Sequence, residues 1–227
     1  MNQNEHLYEF YGILMGDGCI SRYYSCNHLH HELRIDGNAI TDVDYYYNYV
    51  VPLITKITGR VPKPRFRKDC KGMYITFQDK GFALFLHTYL EFPIGKKGNI
   101  IIKNEVLQDF EKLKHVLRGL FDTDGCIYFT KNNSEERYYP ILEITSYSFD
   151  LITQLKSALT LAGFKVKISH YQDSIKLHGK ENLFKWMELI GTSHPDKRSK
   201  FDFWRKYGYC PKIDELGYKE RLDALGL

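Results

Sequence analysis

Two stretches of this chain carry one pattern of apolar and small residues. Leu7, Phe10 and Leu14, and again Leu113, Leu117, Leu120 and Phe121, recur at helical spacing. Small residues sit four apart on another face of each: Gly12 with Gly16, and Gly119 with Thr123. Faces that small let two helix backbones touch. Each stretch closes with Asp-Gly and continues as Cys-Ile, and the Gly is expected to take the left-handed turn after the last helical residue.

Between and after these helices the pattern shortens to period two. Residues 19–25 and 30–36 read as strands around a polar turn, Leu33 and Ile35 alternating with Glu32, Arg34 and Asp36. A helix is predicted from about Asp42, with Thr41 and Asp44 spaced as a capping box, Pro52 set to kink or end it, and Gly59 closing it. Residues 61–68 read as a strand with Lys63, Arg65 and Arg67 on one side, and 73–78 as its partner with Met73, Ile75 and Phe77 on the apolar side. A short buried helix over 80–91 and the segment Phe92-Pro93-Ile94-Gly95-Lys96-Lys97 end the first round.

The order then repeats. A longer helix is predicted over 104–124, strands over 126–131 and 139–145, and a helix over 149–162 capped by Ser148 and stopped by Gly163. Strands over 164–169 and 175–178 and a helix over 181–190 follow. Asp17 and Asp124 are 107 residues apart and Gly59 and Gly163 are 104 apart, so the register drifts by only a few residues. The prediction is an α+β chain of two pseudo-symmetric αββαββα halves, 5–103 and 104–207, each with an antiparallel sheet, followed by a tail at 208–227. Either half alone would leave its motif helix and one sheet face uncovered, and pairing the halves buries both.

With 227 residues, 43% of them apolar, the chain can bury a sizeable core. No apolar run approaches a membrane span, and the first residues lack the regions of a signal peptide, so an intracellular product of the cytoplasm, nucleoid or an organelle matrix is expected. The five cysteines are scattered and odd in number, which fits reduced thiols. Cys26-Asn27-His28-Leu29-His30-His31 has no second ligand pair at zinc-finger spacing and reads as surface histidines in a turn. A net charge of +4 says little until it is located. Lys63, Arg65, Arg67, Lys68 and Lys71 fall in one segment, and Lys165, Lys167, Lys176 and Lys180 in another, at corresponding places in the two halves.

The polar sheet faces therefore combine long cations for phosphates with Tyr, Thr, Gln, Asn and His for base edges. Strand phase puts Ser21, Tyr23, Ser25, Tyr128, Thr130 and Asn132 on this candidate DNA face, with Arg34, Lys63, Arg65, Arg67, Lys165, Lys167 and Lys176. The two aspartates are a separate signal. A helix C-terminus carries partial negative charge and disfavours a carboxylate, yet both copies have one. If the helices pack in parallel along their small faces, Asp17 and Asp124 meet at the same end and call for a cation, and hard oxygen ligands suit Mg²⁺.

The paired stretches resemble the two signature helices of the LAGLIDADG homing endonucleases, in the monomeric, two-motif form. Leu117-Arg118-Gly119-Leu120-Phe121-Asp122-Thr123-Asp124-Gly125 is the nearer match. In Phe10-Tyr11-Gly12-Ile13-Leu14-Met15-Gly16-Asp17-Gly18, Met15 stands at the signature's earlier Asp and Phe10-Tyr11 replace Leu-Ala. The resemblance implies a saddle of two sheets over double-stranded DNA with the motif helices at the seam. It also implies that Asp17 and Asp124 hold Mg²⁺ or Mn²⁺ over the two scissile phosphates, for a double-strand break with short 3′ overhangs. At 3.4 Å per base pair, two halves of about 30 Å would cover on the order of 20 base pairs. Basic residues near the axis assist in the family, a role that falls here to Lys97 (or its neighbour Lys96) and Lys197. Asp122 points away by helical phase and reads as structural. Because the family includes maturases that assist splicing, host intron RNA is the alternative partner.

Overall fold

The structure, a computed structural model, describes residues 3–68, 70–130, 138–212 and 215–227. The chain opens with helix α1 (Gln3–Asp17), which runs directly into β1 (Gly18–Ser25) and β2 (His28–Asn38). Next come α2 (Val43–Tyr45), a π-helical turn (Tyr46–Val50), α3 (Val51–Thr58), β3 (Arg65–Phe66), β4 (Gly72–Gln78) and α4 (Lys80–Leu90). The second round has α5 (Asn104–Leu107), α6 (Phe110–Asp124), β5 (Gly125–Thr130), β6 (Tyr139–Thr145), α7 (Phe149–Leu161), β7 (Val166–Ile168), β8 (Ser174–His178) and α8 (Lys180–Leu189). Helices α9 (Pro195–Tyr207) and α10 (Tyr218–Leu225) complete it.

The expected duplication is present as two four-stranded antiparallel sheets of identical topology, β1-β2-β4-β3 and β5-β6-β8-β7. Leu33 pairs with Ile20 and Phe77 across the first sheet, and Leu142 with Ile127 and Leu177 across the second. All six face a core that is continuous through α1 and α6. Those two helices are the seam, and they are parallel: Gly12 packs on the backbone of Val116 and Leu120, Gly119 on that of Glu9 and Ile13, and Gly16 on Thr123. A Cβ on Gly12 or Gly119 would overlap a carbonyl of the opposite helix, so the small faces are needed for this approach.

Several local expectations are corrected. Neither Gly18 nor Gly125 is left-handed; Gly125 lies at φ −96°, ψ 160°, and the helix passes straight into the strand. Glycine is required there for space instead, because a Cβ would run into Leu14 at the first position and Phe121 at the second. No capping box forms between Thr41 and Asp44. Asp42 is the N-cap residue, its carboxylate taken by the Thr41 hydroxyl (2.6 Å) and the Asn38 N–H (2.7 Å). Pro52 neither ends nor breaks the helix, since the backbone widens into the π turn just before the position whose N–H is missing; Gly59 at φ 71° does close it.

The strand expected over 61–68 shrinks to Arg65–Phe66 because Pro62 and Pro64 have no N–H for the ladder, and Lys63 falls outside it. The strand over 164–169 shrinks to Val166–Ile168, the Lys165 N–H bonding the Asn182 side chain (3.1 Å). The long helix over 104–124 is broken, because the Asp109 carboxylate caps a new start by accepting from the Glu111 (3.1 Å) and Lys112 (3.4 Å) N–H groups. The segment beyond residue 208 contains α10 where only a tail was expected.

Candidate active site

Asp17 and Asp124 are the last residues of α1 and α6, so the parallel seam delivers both to one end. A Cβ on Gly16 would lie 3.3 Å from the Asp124 carboxyl carbon, and the two aspartates line one open cleft with Lys96, Lys97, Ser146 and Asp173. Burial, and after it the facing Asp124 and Asp42, push the Asp17 carboxyl up to about 7, against the pull of Lys197 and Lys97. Burial likewise raises Asp124. Two carboxyls whose pKa values burial raises have too little positive charge near them, which is the condition a divalent cation relieves.

The two lysines also occupy equivalent positions. Lys97 Nζ donates to the carbonyls of Gly16, Met15 (3.0 Å) and Leu14 (3.5 Å), in the last turn of α1. Lys197 Nζ donates to those of Phe121 (2.6 Å) and Asp122 (2.7 Å) at the end of α6. Each lysine thus neutralises a helix end that its neighbouring aspartate would otherwise burden. They are held differently. Lys97, itself half-buried, rides an otherwise exposed loop pinned where the Gly95 N–H meets the Ile20 carbonyl (2.7 Å). Lys197 is buried on the first turn of α9, and burial lowers the pKa of both.

Asp122 is buried and turned from the cleft, as helical phase requires. Its carboxylate accepts from the Thr192 hydroxyl and the Ser193 N–H (2.8 Å). Beside it, the fully buried Glu9 of α1 pairs with Arg118 of α6 (3.3 Å) and accepts from Ser193 Oγ (2.8 Å). His194 Nε2 meets Asp42 Oδ1 at 3.2 Å, and its ring stacks on Tyr45 at 4.7 Å between centroids. Sequence patterns missed this network around residues 192–194. Its members lie up to 184 residues apart, and only Glu9, a charged residue among apolar ones on α1, offered a hint.

Strand pairing places the expected contact residues. Cys19 faces Arg34, Ser21 faces Glu32 and Tyr23 faces His30, while Arg34 faces Thr76 and Arg65 faces Tyr74, so these share the outer side of the first sheet. In the second sheet Cys126 faces Glu143, Thr130 faces Tyr139, and Lys176 faces both Glu143 and Lys167, with Tyr128 on the same side. Lys63, Arg65, Arg67, Lys165 and Lys167 are exposed; Ser21, Arg34, Tyr128, Thr130 and Lys176 are half-buried. Asn132 lies outside the described residues.

Several of these groups are already engaged. Asp36 binds Arg34 (2.8 Å) and Arg67 (2.6 Å), Arg34 covers the Tyr74 ring, and Lys165 pairs with Glu181 (3.1 Å). Glu143 holds Lys176 (3.3 Å), Tyr128 (3.0 Å) and Ser174 (2.7 Å). Because β1 and β5 start immediately after the aspartates, each outer face begins at the cleft, with Cys19 and Cys126 as its first residues.

Comparison with known proteins agrees with this geometry. Residues 111–191 match the family model of a LAGLIDADG-like domain, a segment that contains the second motif but not the first. A search of curated protein sequences finds no match. Among solved structures the chain is similar to I-DmoI in complex with DNA and calcium, at 14% identity and a TM-score of 0.62 over 89% of this chain and 99% of that one. It is similar to the LAGLIDADG meganuclease I-AabMI bound to uncleaved DNA, at 11% identity and a TM-score of 0.53 over 98% and 97% of the two chains. It is also similar to the LAGLIDADG homing endonuclease I-LtrWI bound to target DNA, at 9% identity and a TM-score of 0.56 over 98% of each. The chain has the two-half α+β fold of the LAGLIDADG homing endonucleases, and its second half carries a LAGLIDADG-like domain.

Proposed function

We propose that this protein is a site-specific endonuclease that cuts both strands of DNA with the help of a divalent metal ion, Mg²⁺ or Mn²⁺. One observation carries the proposal: Asp17 and Asp124 converge at the end of two touching helices, between two sheets whose outer faces start at that point. The ions and DNA bound in the similar structures support it. The residues present fit such an ion, because Mg²⁺ takes one or two carboxylates and completes its shell with water and phosphate oxygen. When bound it supplies charge neutralisation at the phosphate and a more acidic water.

The chain's own groups do the rest. Asp17 and Asp124 are the proposed ion holders, one for each strand. Lys97 and Lys197 keep positive charge at the two helix ends, where it offsets the carboxylates without contacting base edges. On the first sheet Ser21, Tyr23, Arg34, Arg65 and Arg67, with Lys63 beside it, are the proposed contacts to phosphates and bases. On the second they are Tyr128, Thr130, Lys165, Lys167 and Lys176. The two faces differ at equivalent central positions, Arg34 in one and Glu143 in the other, so the site they read is not a palindrome.

The test is selection from a randomised duplex library incubated with the protein and Mg²⁺, with cut ends captured and sequenced. The expected product is one asymmetric consensus of about 20 base pairs with short 3′ overhangs. Uncut library at protein concentrations that bind duplex DNA would overturn the reading.

A further inference from the structure

Arg221 lies on α10, in the segment whose sequence reads as a tail, yet it is fully buried. Each of its three guanidinium nitrogens is engaged: Nη2 binds Asp196 Oδ1, Nε binds Ser199 Oγ (3.2 Å) and Nη1 binds the Leu216 carbonyl (2.7 Å). Asp196 and Ser199 are on the first turn and a half of α9, and the Ser199 hydroxyl donates to the Asp196 carbonyl (2.8 Å), closing a ring of contacts around that turn. The second Asp196 oxygen is held by Lys200 (2.8 Å). Between them in sequence stands Lys197, whose ammonium crosses to the C-terminal carbonyls of α6 beside Asp124.

Burying a lysine's charge is costly unless its ammonium is well hydrogen-bonded, and on a flexible four-carbon stem those contacts are kept only if the backbone it springs from is held in place. The counterpart in the first half, Lys97, is fixed by its own loop and by β1. Lys197 comes from a helix whose start is tied down by a guanidinium 24 residues further along the chain. We infer that Arg221 is a positioning residue for the second half of the active site: through Asp196 and Ser199 it sets the α9 turn from which Lys197 reaches the end of α6. The C-terminal helix is then part of the catalytic apparatus although it contributes no side chain to the cleft.

The catalytic half of this statement rests on the proposed nuclease activity, and the structural half does not, so the experiment reads them separately. In the metal-free, DNA-free protein, acetylation by acetic anhydride is followed at Lys197 by mass spectrometry, with the exposed Lys167 as reference. Arg221→Met is expected to raise Lys197 labelling relative to Lys167 by about tenfold, and Arg221→Lys, which keeps a cation for Asp196, to restore most of the protection. Where Arg221→Met does not fold, judged by circular dichroism, Asp196→Asn leaves side-chain shape intact and is expected to raise labelling in the same direction. Lys197 as protected in the folded variant as in the wild type would overturn the inference, as would equal labelling in the Met and Lys variants. On the selected duplex, Arg221→Met is expected to slow single-turnover cleavage at saturating protein by about tenfold or more with duplex affinity little changed. An unchanged rate, or a rate that falls only as far as affinity does, would overturn the catalytic part.

Discussion

At the scale of single residues, two acids, Asp17 and Asp124, stand at helix ends that disfavour them. Asp17 has its pKa raised to about 7 by burial, then by Asp124, so the folded protein binds a proton there that the unfolded chain has lost. Stability from this group is full below its unfolded pKa near 4 and is lost as pH rises through about 7. The melting temperature of the protein in EDTA is therefore expected to fall between pH 4 and pH 7 more steeply in the wild type than in Asp17→Asn; parallel curves would contradict it. Lys197 gives a second expectation. Replaced by Met, it takes the buried ammonium from the Asp122 carbonyl and from the Phe121 carbonyl, which keeps only the Gly125 N–H, a loss of about 1–3 kcal/mol measurable by urea denaturation, and no change would deny the capping role. The aspartates were legible in the sequence because the same Asp-Gly-Cys-Ile follows two similar helices. The lysines were legible only as cations in corresponding places. Their targets are backbone carbonyls, which no side-chain pattern announces.

At the scale of elements, the seam is set by what is missing from it. Gly12 and Gly119 lie against the opposite backbone with no room for a methyl group, so Gly12→Ala or Gly119→Ala must push α1 and α6 apart. Each is expected to cost roughly 1–3 kcal/mol in chemical denaturation, despite the better helix propensity of alanine. A denaturation midpoint equal to or above the wild type would mean that the helices do not touch there. This contact could be read from small residues four apart. Element ends were harder: Pro62 and Pro64 cut a strand that alternation alone favoured, and Asp109 split a helix whose apolar spacing ran through it. The π turn before Pro52 and the extended Gly125 had no sequence signal, being local answers to neighbours that only the folded chain brings close.

At the scale of the whole molecule, duplication explains both the likeness and the differences of the halves. Two sheets of the same strand order meet through two like helices, so whatever chemistry sits at the helix ends is presented twice, which under the proposed function is once toward each strand of a duplex. The departures from symmetry fall outside the paired aspartates: Met15 against Asp122, Arg34 against Glu143, a loop lysine against one on a helix tied to α10. This is the arrangement expected where catalysis is shared and recognition is not. The decisive measurement is cleavage of the selected duplex by Asp17→Asn and by Asp124→Asn, assayed in Mg²⁺ alongside duplex affinity. Both variants are predicted to bind the duplex nearly as well as the wild type and to make no double-strand break; a variant that cuts both strands at the wild-type rate would contradict the assignment of the paired carboxylates as the catalytic centre.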